Sequence, residues 1–410
     1  MTTRAADLAP CGVRHVPLAG PFAPIEAAPG ERAVYAVFWR HGRPAGVRIL
    51  LSGELPVPAA AVPPLAADAV GPILAVEEEA AFAAPQPLSK TVSVVICTRN
   101  RPEDLTRCLA SLERCVPSPS EVIVVDNAPG NDATEQAVRA FPGIRYVRED
   151  RPGLSHARNA GVWAATGEIV AFTDDDVELP EEWIARLTAP FADPEVASVT
   201  GLVLPAELAT DAACLFEFAI GGLGKSLLRR RFDPSYLRTD WWRPPDVWKI
   251  GAGANMAMRR AAFAEVGLFD PRLGAGASGC SEDSEFWFRL LRTGHACLYD
   301  PAAVVFHHHR GDRAALSRQL RAYIRGHVVA LFVQFLQDRR PAHLIRAFAI
   351  MPWYYFKQTI AALRRRDREL LAIVLSQFRG WLEGPFQALI WLRRDGPPRL
   401  APSHPSGDRP

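Results

Sequence analysis

The sequence predicts an α/β protein with a doubly wound, mostly parallel sheet, a small N-terminal β module and a C-terminal amphipathic helical region. From Thr91 onward, short apolar runs alternate with amphipathic segments, which is the pattern of strand–helix units in a parallel sheet. The chain has 410 residues, of which 49% are hydrophobic and 22% are charged. It is therefore long and apolar enough to form a large core, and its composition is not that of a disordered protein.

The N-terminal part of the chain predicts the small β module. Residues 33–39 and 46–51 are apolar segments of strand length, and residues 40–45 between them have the composition of a turn. Residues 54–88 are rich in alanine and proline, which predicts a linker or a loosely packed connection. The predicted divisions are a β module at 1–53, the linker at 54–88, a catalytic domain at 89–312, and a basic helical region with a disordered tail at 313–410.

The segments that follow alternate in the order expected for a doubly wound sheet. The first strand, 92–97, leads to a helix that begins at Pro102 and places Leu105, Leu109 and Leu112 on one face. Residues 211–250 are less regular and rich in aromatic and basic residues, which predicts either a surface loop or a lid over a substrate. The same periodicity predicts strands at 122–125, 144–147, 169–174 and 196–203, and helices at 132–140 and 155–165.

Polar residues stand at the carboxyl ends of three of these strands, where ligands bind in sheets of this kind. Thr98 follows the first strand, Asp126 follows the second, and Asp174, Asp175 and Asp176 end the fourth. Consecutive carboxylates repel one another unless a cation relieves them, and oxygen ligands suit magnesium or manganese. A solvated acidic turn is the alternative interpretation of this run taken alone.

Two further groups can carry chemistry. His307 follows an apolar run and lies two residues before His309, so in a strand both imidazoles share one face, and a neutral imidazole can complete a manganese site. A structural histidine is the alternative. Glu282 and Asp283 precede a helical pattern, where acidic residues usually complement the helix dipole.

Several ordered motifs between residues 92 and 310 together resemble those of the inverting glycosyltransferases of family 2. These enzymes have the GT-A fold and use nucleoside-diphosphate sugars, and the resemblance covers roughly half of this chain. The motifs are residues 92–102, 122–127 and 153–161, the pair Asp174 and Asp176, residues 253–260, the pair Glu282 and Asp283, and residues 307–310.

The resemblance implies a GT-A type sheet and roles for individual side chains. Asp283 would be the general base that deprotonates the acceptor hydroxyl, with Glu282 beside it. Asp176 and His307 would bind the cofactor, Mn²⁺ or Mg²⁺. The residues implied to contact the nucleotide or a sugar are Thr98, Asp126, Arg158, Asp174, Asp175 and Asn255.

Charge is distributed unevenly along the chain. Residues 310–400 contain 17 Lys and Arg against 6 Asp and Glu, a balance of +11, whereas the whole chain carries only +2. Residues 315–395 predict amphipathic helices without the run of about 18 apolar residues that a membrane span requires. This segment predicts either helices that lie on an anionic membrane or a helical subdomain packed on the catalytic body.

The compartment is predicted from two observations. The first ten residues show no signal peptide, and the seven cysteines form no CxxC pair, so reduced thiols are expected. The sequence therefore predicts a cytoplasmic protein, held peripherally on the inner face of the cell membrane if the C-terminal helices bind lipid.

Together these features predict a metal-dependent inverting glycosyltransferase of surface polysaccharide or glycolipid biosynthesis. Its partners would be a UDP-, GDP- or dTDP-sugar donor, a saccharide or lipid-linked saccharide acceptor and an anionic membrane surface, but no nucleic acid. Two alternatives remain open. One is a non-catalytic sugar-nucleotide-binding or membrane scaffold; the other is a nucleotidyltransferase, although no glycine-rich, lysine-bearing phosphate loop follows the first strand.

Overall fold

The N-terminal module is a three-stranded sheet. The computed structural model describes residues 4–85, 89–364 and 366–398. The strands are β1 (Cys11–Pro17), β2 (Ala33–Arg40) and β3 (Arg43–Leu51), with β1 parallel and β3 antiparallel to β2. His41 and Gly42 form the turn between β2 and β3, both with positive φ, as the tight hairpin turn that matches strand twist requires. The predicted hairpin is thus confirmed with a shorter turn, and β1 is an additional strand.

The segment expected to be a linker contains a helix. Helix α1 (Val62–Leu74) buries Val62, Ala66 and Val70 against the small sheet. The N–H groups of a first helical turn have no partner within the helix, so prolines at this position lose no hydrogen bond. Alanine has the highest helix propensity, so this composition permits a helix. The part 62–74 is therefore folded and not an open connection, while residues 86–88 lie outside the described residues.

The large sheet has the predicted α/β character. Its strands are β4 (Val92–Thr98), β5 (Glu121–Asn127), β6 (Ile144–Glu149), β7 (Ile169–Asp174), β8 (Val177–Glu178), β9 (Val196–Pro205), β10 (Arg230–Phe232), β11 (Asn255–Arg259) and β12 (Ala296–His307). Their order across the sheet is β10-β12-β9-β11-β7-β4-β5-β6, and β8 pairs with β12. Among these strands, β8, β10 and β11 run antiparallel to their neighbours and the others run parallel.

Helices cover both faces of this sheet. In β4, Val94 and Ile96 enter one apolar core while Val95 and Cys97 enter the other, which is the alternation expected when both faces of a strand are buried. The helices are α2 (Pro102–Leu112), α3 (Ala133–Arg139), α4 (Leu154–Ala164), α5 (Trp183–Thr188), α6 (Asp211–Cys214), α7 (Arg260–Val266) and α8 (Glu282–Arg292); a π-helical turn, Leu215–Ile220, continues α6.

The C-terminal region is a helical layer packed against the rest of the chain. Its helices are α9 (Arg313–Asp338), α10 (Ala342–Ile345), α11 (Met351–Arg364) and α12 (Arg368–Trp391), and a π-helical turn at Arg346–Ile350 joins α10 to α11. Gly380 lets α12 approach α9 closely, because a Cβ at this position would lie 2.2 Å from the Arg321 carbonyl oxygen. Val329 and Val333 of α9 pack on Leu273 of the α/β domain. Among the described residues no helix is both long and apolar enough to cross a membrane.

Candidate active site

A cavity of about 1040 Å³ lies at the carboxyl ends of β4 and β7. Its walls come from these strand ends, from the loop 251–254, from the start of α8, and from α9 and α11. It brings together eight of the ten residues that the sequence assigned to a site. They are Thr98, Arg158, Asp174, Asp175, Asp176, Glu282, Asp283 and His307.

The acidic run at the end of β7 is neutralised by side chains from other elements. Asp175 accepts hydrogen bonds from the Thr98 hydroxyl at 2.7 Å and from Arg101 Nη1 at 3.1 Å. Burial, reinforced by the neighbouring Asp176, raises the pKa of Asp175 to about 6. The hydroxyl of Thr98 is thus engaged with Asp175, so the middle carboxylate of the run anchors β7 to β4.

Arg101 is a site residue that the sequence analysis did not single out. Its Nη1 donates to both Asp175 and Asp176, at 3.1 and 3.0 Å. It lies at the start of α2, inside the motif 92–102, and no side-chain pattern distinguishes it there from a solvated arginine. Only the chain reversal between β4 and α2 carries it to the acidic run.

Asp176 and His307 form the geometric basis of a metal site. Strand β8 pairs with β12 in the register Val177 to His307, which places the two side chains together. Asp176 Oδ1 lies 3.2 Å from His307 Nε2 but has no hydrogen-bond partner among the described residues. Burial opposes the charge on each group, but the charges around them together outweigh it. Asp176 and Asp174 raise the pKa of His307, and His307, Arg101 and Arg310 lower the pKa of Asp176.

These two residues fit a hard divalent cation. An orphaned carboxylate oxygen facing an imidazole nitrogen is the arrangement that two ligands of one cation adopt, and Mg²⁺ is usually held by one or two carboxylates together with substrate phosphates. In the described part of the chain no cluster of three or more His, Cys, Asp or Glu side chains is arranged as a metal site. The remaining coordination positions would thus belong to a substrate or to water.

Arg158 connects the acidic run to the start of α8. Its side chain is buried, with Nη1 2.5 Å from Glu282 Oε1 and Nη2 3.6 Å from Asp174 Oδ1. Burial raises the pKa of Glu282 to about 7, even though the charge of Arg158 acts in the opposite direction. The contact with Arg158 pairs Glu282 with a buried cation and argues for a supporting role beside Asp283.

Asp283 presents a carboxylate to the cavity. Its Oδ1 accepts the Ser284 backbone N–H at 2.6 Å, and its Oδ2 accepts the Gly253 N–H at 2.9 Å. A Cβ at residue 253 would lie 2.5 Å from Arg158 Nη2, so glycine is required for the loop to approach this closely. Lys225 also lines the cavity. Burial lowers the pKa of its amine, even though the charge of Asp283 acts in the opposite direction.

Comparison with known proteins identifies the family. Residues 93–267 match the family described as Glycosyl transferase family 2. Glycosyltransferase AglE of Haloferax volcanii is 34% identical over 237 residues, which cover 56% of this chain and 71% of that protein.

The chain belongs to glycosyltransferase family 2.

Two other proteins show the extent of the similarity. The pre-mycofactocin glycosyltransferase of Mycobacterium tuberculosis is 29% identical over 282 residues, which cover 67% of this chain but only 55% of that relative. The chain thus spans about half the length of this relative. The mannosyltransferase PcManGT of Pyrobaculum calidifontis, solved with GDP-Man and Mn²⁺, superposes with a TM-score of 0.51 at 19% identity over 74% of this chain and 90% of that one. This similarity confirms the predicted GT-A fold.

Two of the predicted site residues do not line the cavity. Asn255 is buried within the sheet, where its Oδ1 accepts the Trp183 Nε1–H at 3.0 Å. Its Nδ2 donates to the carbonyl oxygens of Leu202 and Ala303, at 3.0 and 2.8 Å. All three bonds tie β11 to the surrounding elements, so the geometry does not support the expected sugar contact.

Asp126 is the second of these residues. It is buried at the end of β5, with Oδ2 accepting the Tyr146 hydroxyl at 2.9 Å, and burial raises its pKa. Its Oδ1 has no partner among the described residues, and the neighbouring Asn127 lines the cavity instead. Contact between Asp126 and a nucleotide therefore stays a prediction.

The C-terminal helices complete the far wall of the cavity with aromatic side chains. Tyr323 and His327 come from α9, Tyr354 and Tyr355 from α11, and Trp248 from the irregular segment 211–250. Burial lowers the pKa of His327 to about 3, so its ring is neutral. Sequence analysis did not assign the residues of α9 and α11 to a site because they lie outside the family motifs, whereas Trp248 belongs to the segment that it predicted to be a surface loop or a lid.

The pKa shifts predict how Mn²⁺ binding depends on pH. The raised pKa of His307 means that its ring keeps a proton to a higher pH than an ordinary histidine, and a bound cation must displace that proton. Asp176, with its lowered pKa, stays ionised over the same range. We expect the Mn²⁺ affinity measured by isothermal titration calorimetry to weaken as the pH falls from about 8 to about 6.

A His307→Gln variant is the control for this prediction. It should bind Mn²⁺ weakly at each pH, because the titrating ligand is absent. The same pH dependence in this variant and in the wild type would show that another group controls binding.

Proposed function

We propose that this protein is a metal-dependent inverting glycosyltransferase. It transfers a sugar from a nucleoside diphosphate to a saccharide or a lipid-linked saccharide in surface polysaccharide or glycolipid assembly. The observation that carries the proposal is the pair of facing atoms Asp176 Oδ1 and His307 Nε2, 3.2 Å apart, in the same cavity as Asp283. Such a displacement needs two charged centres, a cation held by a pair of ligands and a general base.

The donor end of the proposed site lies at the acidic run. Asp176 and His307 would hold Mn²⁺ or Mg²⁺, and such a cation, when bound, offsets the charge that develops on the leaving diphosphate. Arg101 and Arg310 lie 3.0 and 3.9 Å from Asp176 Oδ2 and add positive charge to the same end of the cavity. A guanidinium binds phosphate oxygens well, so these arginines are suited to hold the diphosphate.

The acceptor end of the proposed site contains Asp283. The Gly253 and Ser284 N–H groups fix the orientation of its carboxylate. Oδ1 also accepts from the Ser284 hydroxyl, so Oδ2 is the oxygen that retains a lone pair for an acceptor hydroxyl. Asp283 takes the hydroxyl proton as the hydroxyl oxygen bonds to the anomeric carbon, and the bond from that carbon to the diphosphate oxygen breaks on the opposite side. One displacement of this kind inverts the anomeric configuration, and the carboxylate ends the step protonated.

A membrane surface is the partner that we propose for the C-terminal helices. Large apolar side chains are exposed on α11 and α12; they are Trp353, Tyr354, Phe356, Leu363, Leu375, Leu382, Phe386, Leu389 and Ile390. Exposed basic side chains accompany them at Lys357, Arg364, Arg366, Arg393 and Arg394. This combination suits the interface of an anionic bilayer, and Tyr354 also lines the cavity, so a lipid-linked acceptor could reach the site from that side.

The acceptor class is open to direct test. The mycobacterial relative is named a pre-mycofactocin glycosyltransferase. The cavity also has an aromatic far wall, which can stack on a sugar ring or on another ring. Transfer assays should therefore include saccharide, lipid-linked and non-saccharide acceptors.

We expect Asp283→Asn to abolish transfer and to leave donor binding nearly unchanged. The amide keeps the volume and one acceptor oxygen but cannot take a proton, and loss of a general base typically costs about 10²- to 10⁴-fold in rate. The measurement is the rate of sugar transfer beside the calorimetric donor affinity. Asp150→Asn, at an exposed carboxylate, is the matched control. Turnover at the wild-type rate in Asp283→Asn would remove Asp283 as the base.

Calorimetric titration with UDP-, GDP- and dTDP-sugars should identify one nucleotide class that binds in the presence of Mn²⁺ and not in EDTA. Asp176→Ala should weaken this binding by about tenfold or more, because it deletes one of two protein ligands. Equal binding with Mn²⁺ and EDTA would exclude the proposed metal site. Binding without transfer to any acceptor would favour the scaffold alternative.

Vesicle sedimentation should show that the protein binds bilayers of phosphatidylcholine and phosphatidylglycerol better than phosphatidylcholine alone. A double variant, Phe386→Ser with Leu389→Ser, should lose at least about tenfold in affinity, since each side chain would bury several CH₂ equivalents. Val76→Ser, at an exposed apolar residue of the N-terminal part, is the matched control. Wild-type affinity in the double variant would exclude this surface.

A further inference from the structure

A chain of four side chains extends from the proposed metal site into the protein. His307 Nε2 faces Asp176 Oδ1 at 3.2 Å, and on the other side of the ring His307 Nδ1 lies 3.0 Å from His309 Nδ1. His309 Nε2 in turn lies 3.1 Å from Glu217 Oε2. His309 is almost fully enclosed, with 2% of its side chain exposed, so this chain is shielded from water. The order is Asp176, His307, His309, Glu217.

The hydrogen-bond requirements of this chain fix the direction of each bond. An ionised Glu217 can only accept, so His309 Nε2 carries the proton that it donates to Glu217. In a neutral ring His309 Nδ1 is then an acceptor, and His307 Nδ1 must be the donor. When the His307 ring is neutral, its Nε2 is consequently left with a lone pair on the side of Asp176 Oδ1, where a cation can take the place of the proton. This is the tautomer that a metal ligand requires.

Glu217 is held in place by the N-terminal module. It lies in the π-helical turn Leu215–Ile220, where Phe218 packs on Tyr35 of β2 with ring centroids 5.8 Å apart. On the other side, a Cβ at Gly222 would lie 2.3 Å from Glu217 Oε2, so the backbone there closes around the carboxylate. Phe216 contacts the His309 ring edge-on at 4.9 Å. The end of the chain is therefore packed on several sides and has little freedom to move.

We propose that His309 and Glu217 are positioning residues that fix the tautomer and orientation of His307 for a divalent cation. The N-terminal module supports this function by holding the turn that carries Glu217. The inference rests on the proposed function, because it assumes that Asp176 and His307 bind Mn²⁺ or Mg²⁺. If His309 and Glu217 only joined the end of β12 to the turn, cation binding would not depend on them.

The test is Mn²⁺ binding by the full chain in the presence of whichever of UDP, GDP or dTDP binds the wild type. His309→Phe keeps a ring but removes both nitrogens, and it should weaken Mn²⁺ binding in calorimetry by about 10- to 100-fold. His309→Asn offers an oxygen near the position of Nδ1 and should restore most of the affinity. His308→Phe is the matched control, since that neighbouring ring contacts Glu178 at 2.7 Å and not His307.

A spectroscopic measurement separates positioning from general stability. The electron spin echo modulation of bound Mn²⁺ should show nitrogen coupling from His307 in the wild type and in His308→Phe, and weaker coupling in His309→Phe. Glu217→Gln keeps the side-chain volume but replaces the carboxylate with an amide, whose NH₂ group can donate where a carboxylate can only accept. The amide no longer fixes the tautomer of His309, so this variant should lower Mn²⁺ affinity in the same direction. This variant tests the proposal independently if His309→Phe does not fold.

The outcomes distinguish this inference from the proposed function. Absence of Mn²⁺ binding in the wild type would overturn the proposed function and this inference with it. Mn²⁺ affinity and nitrogen coupling equal to those of the wild type in both His309→Phe and Glu217→Gln would overturn the positioning role alone.

Discussion

Electrostatic repulsion within Asp174, Asp175 and Asp176 is the constraint on which the rest of the active site depends. Three adjacent carboxylates at one strand end are stable together only when cations face them. Arg158 lies near Asp174, Arg101 binds Asp175 and Asp176, and His307 faces Asp176, so the cations come from α4, the start of α2 and the end of β12. The parallel sheet is what brings these distant segments to one edge.

Ion pairs also connect the proposed metal site to the proposed base. Arg158 contacts Asp174 on one side and Glu282 on the other, and Glu282 precedes Asp283 in the first turn of α8. Buried ion pairs carry a large desolvation cost and contribute little net stability, so this arrangement is better understood as serving function than folding. Arg158 consequently holds helix α8, which carries the proposed base Asp283, in a fixed position relative to the proposed metal site.

The two regions outside the family match each complete the site in a different way. The N-terminal sheet packs against the turn that carries Glu217, behind the proposed metal ligand. The C-terminal helices supply the aromatic far wall and have an apolar and basic outer surface. The C-terminal segment therefore combines both interpretations that its sequence allowed: it packs on the catalytic body, and it still exposes a face suited to an anionic membrane, which is a proposal.

Local patterns in the sequence determined the strands β4, β5, β6, β7 and β9, the helices α2, α3 and α4, and the positions of the acidic run and Asp283, because strand and helix periodicity and strand-end chemistry are local properties. These patterns do not predict the contacts of residues whose neighbours are distant along the chain. Asn255 was expected at a sugar but is used by three hydrogen bonds inside the sheet, and Arg101 was overlooked. Helix α1 was hidden by its prolines and alanines.

Sequence alone thus determined the fold class, the family resemblance and most of the charged groups at the site. Only the tertiary structure decided which carboxylate faces which cation, which polar atoms are left without partners, and that Glu217, Lys225 and the aromatic residues of α9 and α11 belong near the site. The physical reason is that these contacts depend on sheet register and helix packing, which bring together residues separated by tens to hundreds of positions in the chain.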